Sequence, residues 1–302
     1  MEWFLVLTQV VLPLCFTVSL WRRAEWSLRD FVLSLLLGSA YLTFICLVLP
    51  WGYLPYLLRY VWPAVYGLAA LRAVARIRRQ LREGRPPARP RLSPAVMVVA
   101  TIVLGSQSVD CVRGRFYSEP AVELAFPLRD GVYVVGQGGN HPKINYHNVS
   151  VSQKYALDIS ALNELGLRGY GLGRTPLQRY AIWGDTLYSP CDGVVRTVVN
   201  DRQDHVPPAS EPENPAGNHV EIETEGVRIF LAHMQRGSVL VLKGDRVKAG
   251  DPLGKVGNSG NTTEPHLHIH AVRGGQSLFD GTGIPITFED RFLVRNSVVV
   301  GR

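Results

Sequence analysis

Trp3 to Trp21 contains no charged side chain, and neither does Phe31 to Leu58. A helix needs about 20 mainly apolar residues to cross a bilayer, and only helices or closed barrels leave no backbone polar group unpaired there. Trp3–Leu20 and Phe31–Leu49 meet that length, and Leu92–Val109 supplies 18 uncharged residues. Leu54–Leu71 is interrupted by Arg59, whose side chain can snorkel to an interface, the level that Trp51, Tyr53, Tyr56, Tyr60 and Trp62 also suit. Residues 1–112 are therefore expected to form a membrane region of about four transmembrane helices, or three if Leu54–Leu71 lies along the surface. A signal peptide fits poorly. Glu2 stands where a positive n-region is needed, and a second apolar segment follows closely.

The chain has a formal net charge of +7, which one stretch accounts for: Arg72 to Arg91 holds eight arginines against Glu83. Residues 113–302 carry 20 basic and 20 acidic side chains. A dispersed basic surface for nucleic acid is thus not expected. Arginine-rich short loops stay cytoplasmic, so the loop around Arg72–Arg91 belongs inside, and Arg22, Arg23 and Arg29 point the first loop the same way. Four spans then place the N-terminus and residues 113–302 outside. Three spans keep the tail outside but strand the first loop's arginines there. The expected protein is a multi-pass cell-membrane protein with an extracytoplasmic C-terminal domain. Arg85-Pro-Pro-Ala-Arg-Pro90 breaks any helix and reads as an extended linker. Of four cysteines, Cys15 and Cys46 fall in spans. Cys111 and Cys191 permit a disulfide outside without requiring one, and nothing has the CxxC spacing of a zinc–thiolate site.

All eight histidines lie between 141 and 270. From Gly131 onward, short β-rich runs such as GVVRTVV, HVEIET and VRIFLAHM alternate with Gly, Asn and Pro, which predicts an antiparallel all-β domain over 113–302. Two segments interrupt the pattern: a proline- and acid-rich loop at Asp201–Gly217 and a glycine-rich insertion at Leu162–Arg179. In a strand, His266-Leu-His268-Ile-His270 presents three imidazoles on one face. Imidazoles two apart can approach one zinc ion, whose catalytic sites take three protein ligands and keep a fourth position open. A solvated polar strand face is the plainer alternative for an isolated HxH.

The surrounding residues resemble a family. Ala232-His233-Met234, Gly244-Asp-Arg-Val-Lys-Ala-Gly250, Gly257-Asn-Ser-Gly260 and Pro265-His-Leu-His268 occur in the order found in lysostaphin/LytM-type zinc metallopeptidases, and Tyr188-Ser-Pro-Cys-Asp-Gly-Val194 resembles the strand and turn before that core. The resemblance covers about 150–270. It implies a small antiparallel β-domain with a groove, one catalytic Zn2+ per chain, and hydrolysis of peptide bonds in peptidoglycan. By the same resemblance His233 and His266 are catalytic, and Asp158 and His268 are zinc ligands. Zinc would polarise the scissile carbonyl and activate water, with the two catalytic histidines handling the proton and the developing oxyanion.

One position departs from the family. Its first motif has a histidine four residues before the aspartate, and here that residue is Lys154, which as an ammonium cannot ligate zinc. The third ligand is expected to be His147, with His141 as the other candidate. His270 either lines the groove or is exposed, while His205 and His219 are expected to have no role. The sequence therefore predicts a membrane-anchored zinc metalloendopeptidase acting on peptidoglycan or another peptide substrate, with the lipid bilayer as its other partner and no nucleic acid. Lys154 supports the alternative of a degenerate domain that binds cell wall or activates a partner hydrolase. A lipoyl-like carrier barrel is disfavoured, since no Met-Lys hairpin is present and HxH would have no purpose.

Overall fold

The computed structural model describes residues 2–22, 27–86, 92–170, 176–277 and 280–302. Arg23, Arg91, most of Arg85–Pro90 and part of the glycine-rich insertion lie outside the described residues. The chain divides into two compact units, 1–49 with 54–112 and 50–53 with 113–302.

In the first unit, three of the described helices are long and apolar enough to cross a membrane: Trp3–Arg22, Leu28–Val48 and Pro94–Arg113. Ser27 starts the second of these. Its hydroxyl accepts the Asp30 N–H at 3.0 Å, meeting one of the amide donors that a helix start leaves unpaired. The Leu54–Leu71 segment does not form a span on those bounds. Its helix begins at Leu58 and continues to Arg82, so one element joins an apolar half to a half bearing Arg72, Arg76, Arg78, Arg79 and Arg82. Arg59 is met locally, donating from Nε to the Cys46 carbonyl at 3.1 Å and from Nη1 to the Tyr56 hydroxyl at 2.7 Å. All four cysteines are free thiols.

The second unit is the expected, mostly antiparallel β domain. Its strands are β1 (Val122–Glu123), β2 (Val132–Gln137), β3 (Leu157–Leu162), β4 (Thr186–Tyr188), β5 (Gly193–Val199), β6 (Asn218–Thr224) and β7 (Val227–Met234). There follow β8 (Arg246–Val247), β9 (Pro252–Lys255), β10 (Leu267–Arg273), β11 (Thr282–Ile284), β12 (Ile286–Phe288), β13 (Arg291–Phe292) and β14 (Val298–Val300). The main sheet runs in the order β14-β2-β3-β10-β7-β6-β5-β8, with β11 also paired to β10. Its ladders are all antiparallel, as strands joined by short turns allow. The pair β1·β12 is parallel.

Alternation along the strands builds the core. Ile159, Ile222, Ile229, Leu231, Leu267 and Ile269 are fully buried in one cluster, with Leu187 and Leu253 from the separate antiparallel pair β4·β9. Their neighbours along each strand point to the opposite face, where Asp158 and His268 lie, so burying the isoleucines and leucines fixes which residues the other face carries. Leu231→Ala removes apolar volume from the middle of this cluster. It should destabilise the β domain by about 2–5 kcal/mol, read as a lower unfolding midpoint in a denaturant titration followed by tryptophan fluorescence.

Candidate metal centre and active site

Strand register brings the first candidate ligands together. Asp158 on β3 lies opposite His268 on β10, which in turn lies opposite Ala232 on β7. Directly opposed residues share a face, and His266 and His270 share it through the period of two. His233 follows Ala232, so a regular pleat would turn it away. Its backbone is instead left-handed, with φ 61°, a conformation uncommon outside glycine and often kept at functional sites. The His233 ring lies 4.8 Å from that of His266 and 5.8 Å from that of His268, centroid to centroid.

His147 comes from outside the sheet, on the 3-10 turn Tyr146–Val149. Asn145 holds that turn. Its side-chain oxygen accepts the His147 N–H at 3.2 Å, and its Nδ2 donates to the carbonyls of Gly139, Lys154 and Ala156 at 2.9, 3.2 and 3.1 Å. One fully buried amide thus ties the turn to the residues leading into β3. It brings His147 Nε2 to 3.0 Å from both Asp158 carboxylate oxygens. His268 Nδ1 approaches Asp158 Oδ1 at 2.9 Å, and His266 Nε2 approaches the same oxygen at 3.5 Å.

The ligand-capable atoms of His147, Asp158 and His268 all lie within 4.8 Å of one another. Two imidazole nitrogens and a carboxylate oxygen form a donor set suited to zinc with room for a fourth position, so these residues fit the ion. The far side of each imidazole is also held, as ligand orientation requires. His147 Nδ1 meets Gln153 Oε1 at 3.1 Å, and His268 Nε2 meets His270 Nδ1 at 2.9 Å. His270, the third histidine of the strand, is thus buried against His268 and stacked on Phe230 rather than exposed.

The two remaining histidines have their tautomers set by backbone. His233 Nδ1–H donates to the Ser259 carbonyl at 2.9 Å and His266 Nδ1–H to the Glu264 carbonyl at 2.8 Å, leaving Nε2 of each as the acceptor when neutral. Burial and the neighbouring imidazoles of His266 and His268 hold His233 well below the usual histidine range. Burial opposes charge on His266 too, but the Asp158 carboxylate outweighs it and raises this pKa. Burial takes His268 down to about 4. Burial also works against charge on Asp158, yet His147 and His266 outweigh it and keep the carboxyl well below its ordinary value.

The remaining candidates are elsewhere. His141 sits in a turn, its Nδ1 accepting the Lys143 N–H at 3.2 Å, and it is not among the grouped ligands. His205 lies in the acidic loop 3.9 Å from Glu211, and His219 Nδ1 meets the Gly217 carbonyl at 2.9 Å. Lys154 turns to Glu119, 2.8 Å away; this bond holds Glu119 down to about 2 and raises the lysine. Sequence reasoning passed over Asn145, Gln153, Ser259 and Glu264 as functional residues. Two of these act through backbone carbonyls, which no residue type announces, and the amides act through contacts that only the folded turn creates.

A cleft of about 210 Å3 opens at His147, His233, His268 and His270, lined also by Tyr146, Gln153, Pro215, Ala216 and Asn261. Residues 179–279 match the family model for Peptidase family M23. The chain carries an M23 peptidase domain. The matched M23 segment contains His233, His266 and His268 but begins after His147 and Asp158. Similar solved structures include a zinc-containing peptidase from Vibrio cholerae, 20% identical with TM-score 0.29, over 56% of this chain and 37% of that one. The catalytic domain of the antimicrobial peptidase lysostaphin from Staphylococcus simulans is 24% identical with TM-score 0.24, over 36% of this chain and 81% of that one. A mutant catalytic domain of the prophage-encoded M23 protein EnpA from Enterococcus faecalis is also 24% identical, with TM-score 0.24, over 38% and 83%. This chain therefore spans little more than a third of the Vibrio cholerae protein.

Three substitutions should each abolish stoichiometric zinc in the full-length protein purified in detergent: Asp158→Ala, His268→Ala and His147→Ala. His141→Ala should leave the content unchanged, as measured by elemental analysis of dialysed samples. Gln153→Leu removes a partner of a ligand and should weaken zinc binding by about 10- to 100-fold. Zinc content should also fall on acidification, because imidazole ligates only as the neutral base.

Proposed function

We propose that the protein is a membrane-anchored zinc metalloendopeptidase that hydrolyses peptide bonds in peptidoglycan. In this reading residues 1–112 are the membrane region and 113–302 the extracytoplasmic catalytic domain. The observation that carries it is the convergence of His147, Asp158 and His268 on one point, with His233 and His266 beside it and their outer nitrogens occupied. Peptidase activity in general rests on the M23 match. Peptidoglycan as substrate rests on the lysostaphin/LytM-type motifs.

His147 Nε2, His268 Nδ1 and an Asp158 oxygen would hold the ion. When bound, zinc supplies Lewis acidity to the scissile carbonyl and to the attacking water. The protein's own groups supply the rest. His233 is neutral and has its Nδ1 proton committed to Ser259, so its Nε2 can accept a proton from water and return it to the leaving amine. His266, fixed the same way by Glu264, can offer an Nε2–H to the oxyanion when it is protonated. The apolar Pro215 and Ala216 help exclude bulk water from the cleft, which strengthens both interactions. Lys154 favours a non-hydrolytic reading because it cannot ligate zinc; against that reading stands His147, which would take the ligand place with its Nε2 3.0 Å from Asp158 while Lys154 pairs with Glu119.

Full-length protein in detergent, incubated with purified peptidoglycan, should release fragments bearing new amino termini, identified by mass spectrometry. A chelator should stop release and added zinc restore it. His233→Ala and His266→Ala should keep zinc while lowering turnover by about 10²–10⁴-fold. Tight binding to the wall without products at any zinc concentration would overturn hydrolysis in favour of a binding domain. The topology has its own measurement. A reporter enzyme that folds only outside the cytoplasm, fused after Arg302, should be active, and an inactive fusion would refute the extracytoplasmic placement.

A further inference from the structure

Arg168 lies in the glycine-rich insertion, ahead of the segment that matches the M23 family, and the mechanism above does not use it. Its side chain is only 8% exposed. Nη1 pairs with Glu264 Oε1 at 2.5 Å, and the carboxylate side chain is 13% exposed. The Arg168 N–H donates to the Gly52 carbonyl at 2.8 Å, its own carbonyl accepts the Ala181 N–H at 2.9 Å, and the guanidinium carbon lies 3.5 Å from the centre of the Tyr53 ring. Backbone and side chain are therefore both fixed. Among the described residues, Nε and Nη2 find no hydrogen-bond partner. A buried ion pair with two donors left over is a poor device for stability, since apolar residues of similar volume serve that end as well or better.

Glu264 is where the pair leads. It stands two residues before His266, and its carbonyl accepts the His266 Nδ1–H at 2.8 Å and the Thr262 hydroxyl at 2.7 Å. Thr262 in turn donates to Asn258 Oδ1 at 3.0 Å, a shared hydroxyl bond that anchors the turn from its other end. Pulling the Glu264 side chain into a buried pair fixes the backbone that carries this carbonyl. That carbonyl decides which nitrogen of His266 holds the proton.

We propose that Arg168 is a positioning residue for His266, pairing with Glu264 to hold the carbonyl that sets the tautomer and aim of that imidazole. The consequence for turnover rests on the peptidase reading; the consequence for the imidazole does not. Arg168→Met, Arg168→Lys, Glu264→Gln and the double variant Arg168→Met/Glu264→Gln are compared in the full-length protein. The measurements are zinc content, kcat and KM, and ring-nitrogen signals of 15N-labelled histidines, with His266 assigned by His266→Gln.

Arg168→Met should convert His266 from a single Nδ1–H tautomer to a mixture. It should lower kcat roughly 10-fold or more, with KM and zinc content little changed, because a misaimed group costs rate and not binding. The double variant should be no slower than Arg168→Met, and Arg168→Lys, which keeps the charge, should recover most of the rate. An unchanged tautomer with wild-type kcat in Arg168→Met would overturn the proposal, as would loss of zinc along with activity. Should Arg168→Met fail to fold, Glu264→Gln and Arg168→Lys carry the same comparison. A wild-type protein with zinc but no peptidase activity would defeat the functional reading alone, since the tautomer comparison still decides the role of Arg168.

Discussion

A single carboxylate organises this domain. Asp158 is drawn out of water into a site where the anion can persist only because imidazole nitrogens surround it. Charge buried without partners is costly, so every element that reaches Asp158 must reach it accurately. Strand β10 does so through register and the Tyr146–Val149 turn through the Asn145 side chain, while a left-handed backbone turns His233 toward the rings of His266 and His268. The isoleucine and leucine core on the opposite sheet face then has a second consequence besides stability. It prevents the one-residue slip that would turn Asp158 and His268 into the interior.

Much of this was legible because it follows from period and spacing. The HxH repeat placed His266, His268 and His270 on one face, and the alternating runs predicted the antiparallel sheet. Residues whose position depends on the fold were harder. His233 faces the site only because its backbone departs from the pleat that its strand would otherwise impose. His147 lies eleven residues before Asp158 with no motif linking them, and its placement rests on an asparagine that bridges three carbonyls. His270 could be placed on the right face, but nothing in an alternating strand distinguishes a residue buried against its neighbour from one facing water.

The N-terminal helices show the same division between pattern and context. Length and hydropathy identify Trp3–Arg22, Leu28–Val48 and Pro94–Arg113 directly. The segment around Arg59 was ambiguous because its apolar half and the arginine-rich half that follows share one continuous helix, Leu58–Arg82. A window centred on either half sees a different protein. The net charge likewise describes a short stretch rather than a surface, since 113–302 is balanced.

The three candidate ligands are held in two different ways. Asp158 and His268 are cross-strand partners, so neither can be moved without moving a strand. His147 hangs on a turn whose geometry is set by local hydrogen bonds alone. A ligand of that kind can be handed from one sequence position to another while the metal stays where the sheet puts it. Lys154, at the position where the family motif has a histidine, forms an ion pair with Glu119. Recognition of such domains by linear motif therefore has a blind side: the part of the centre most easily relocated is the part a spacing rule describes.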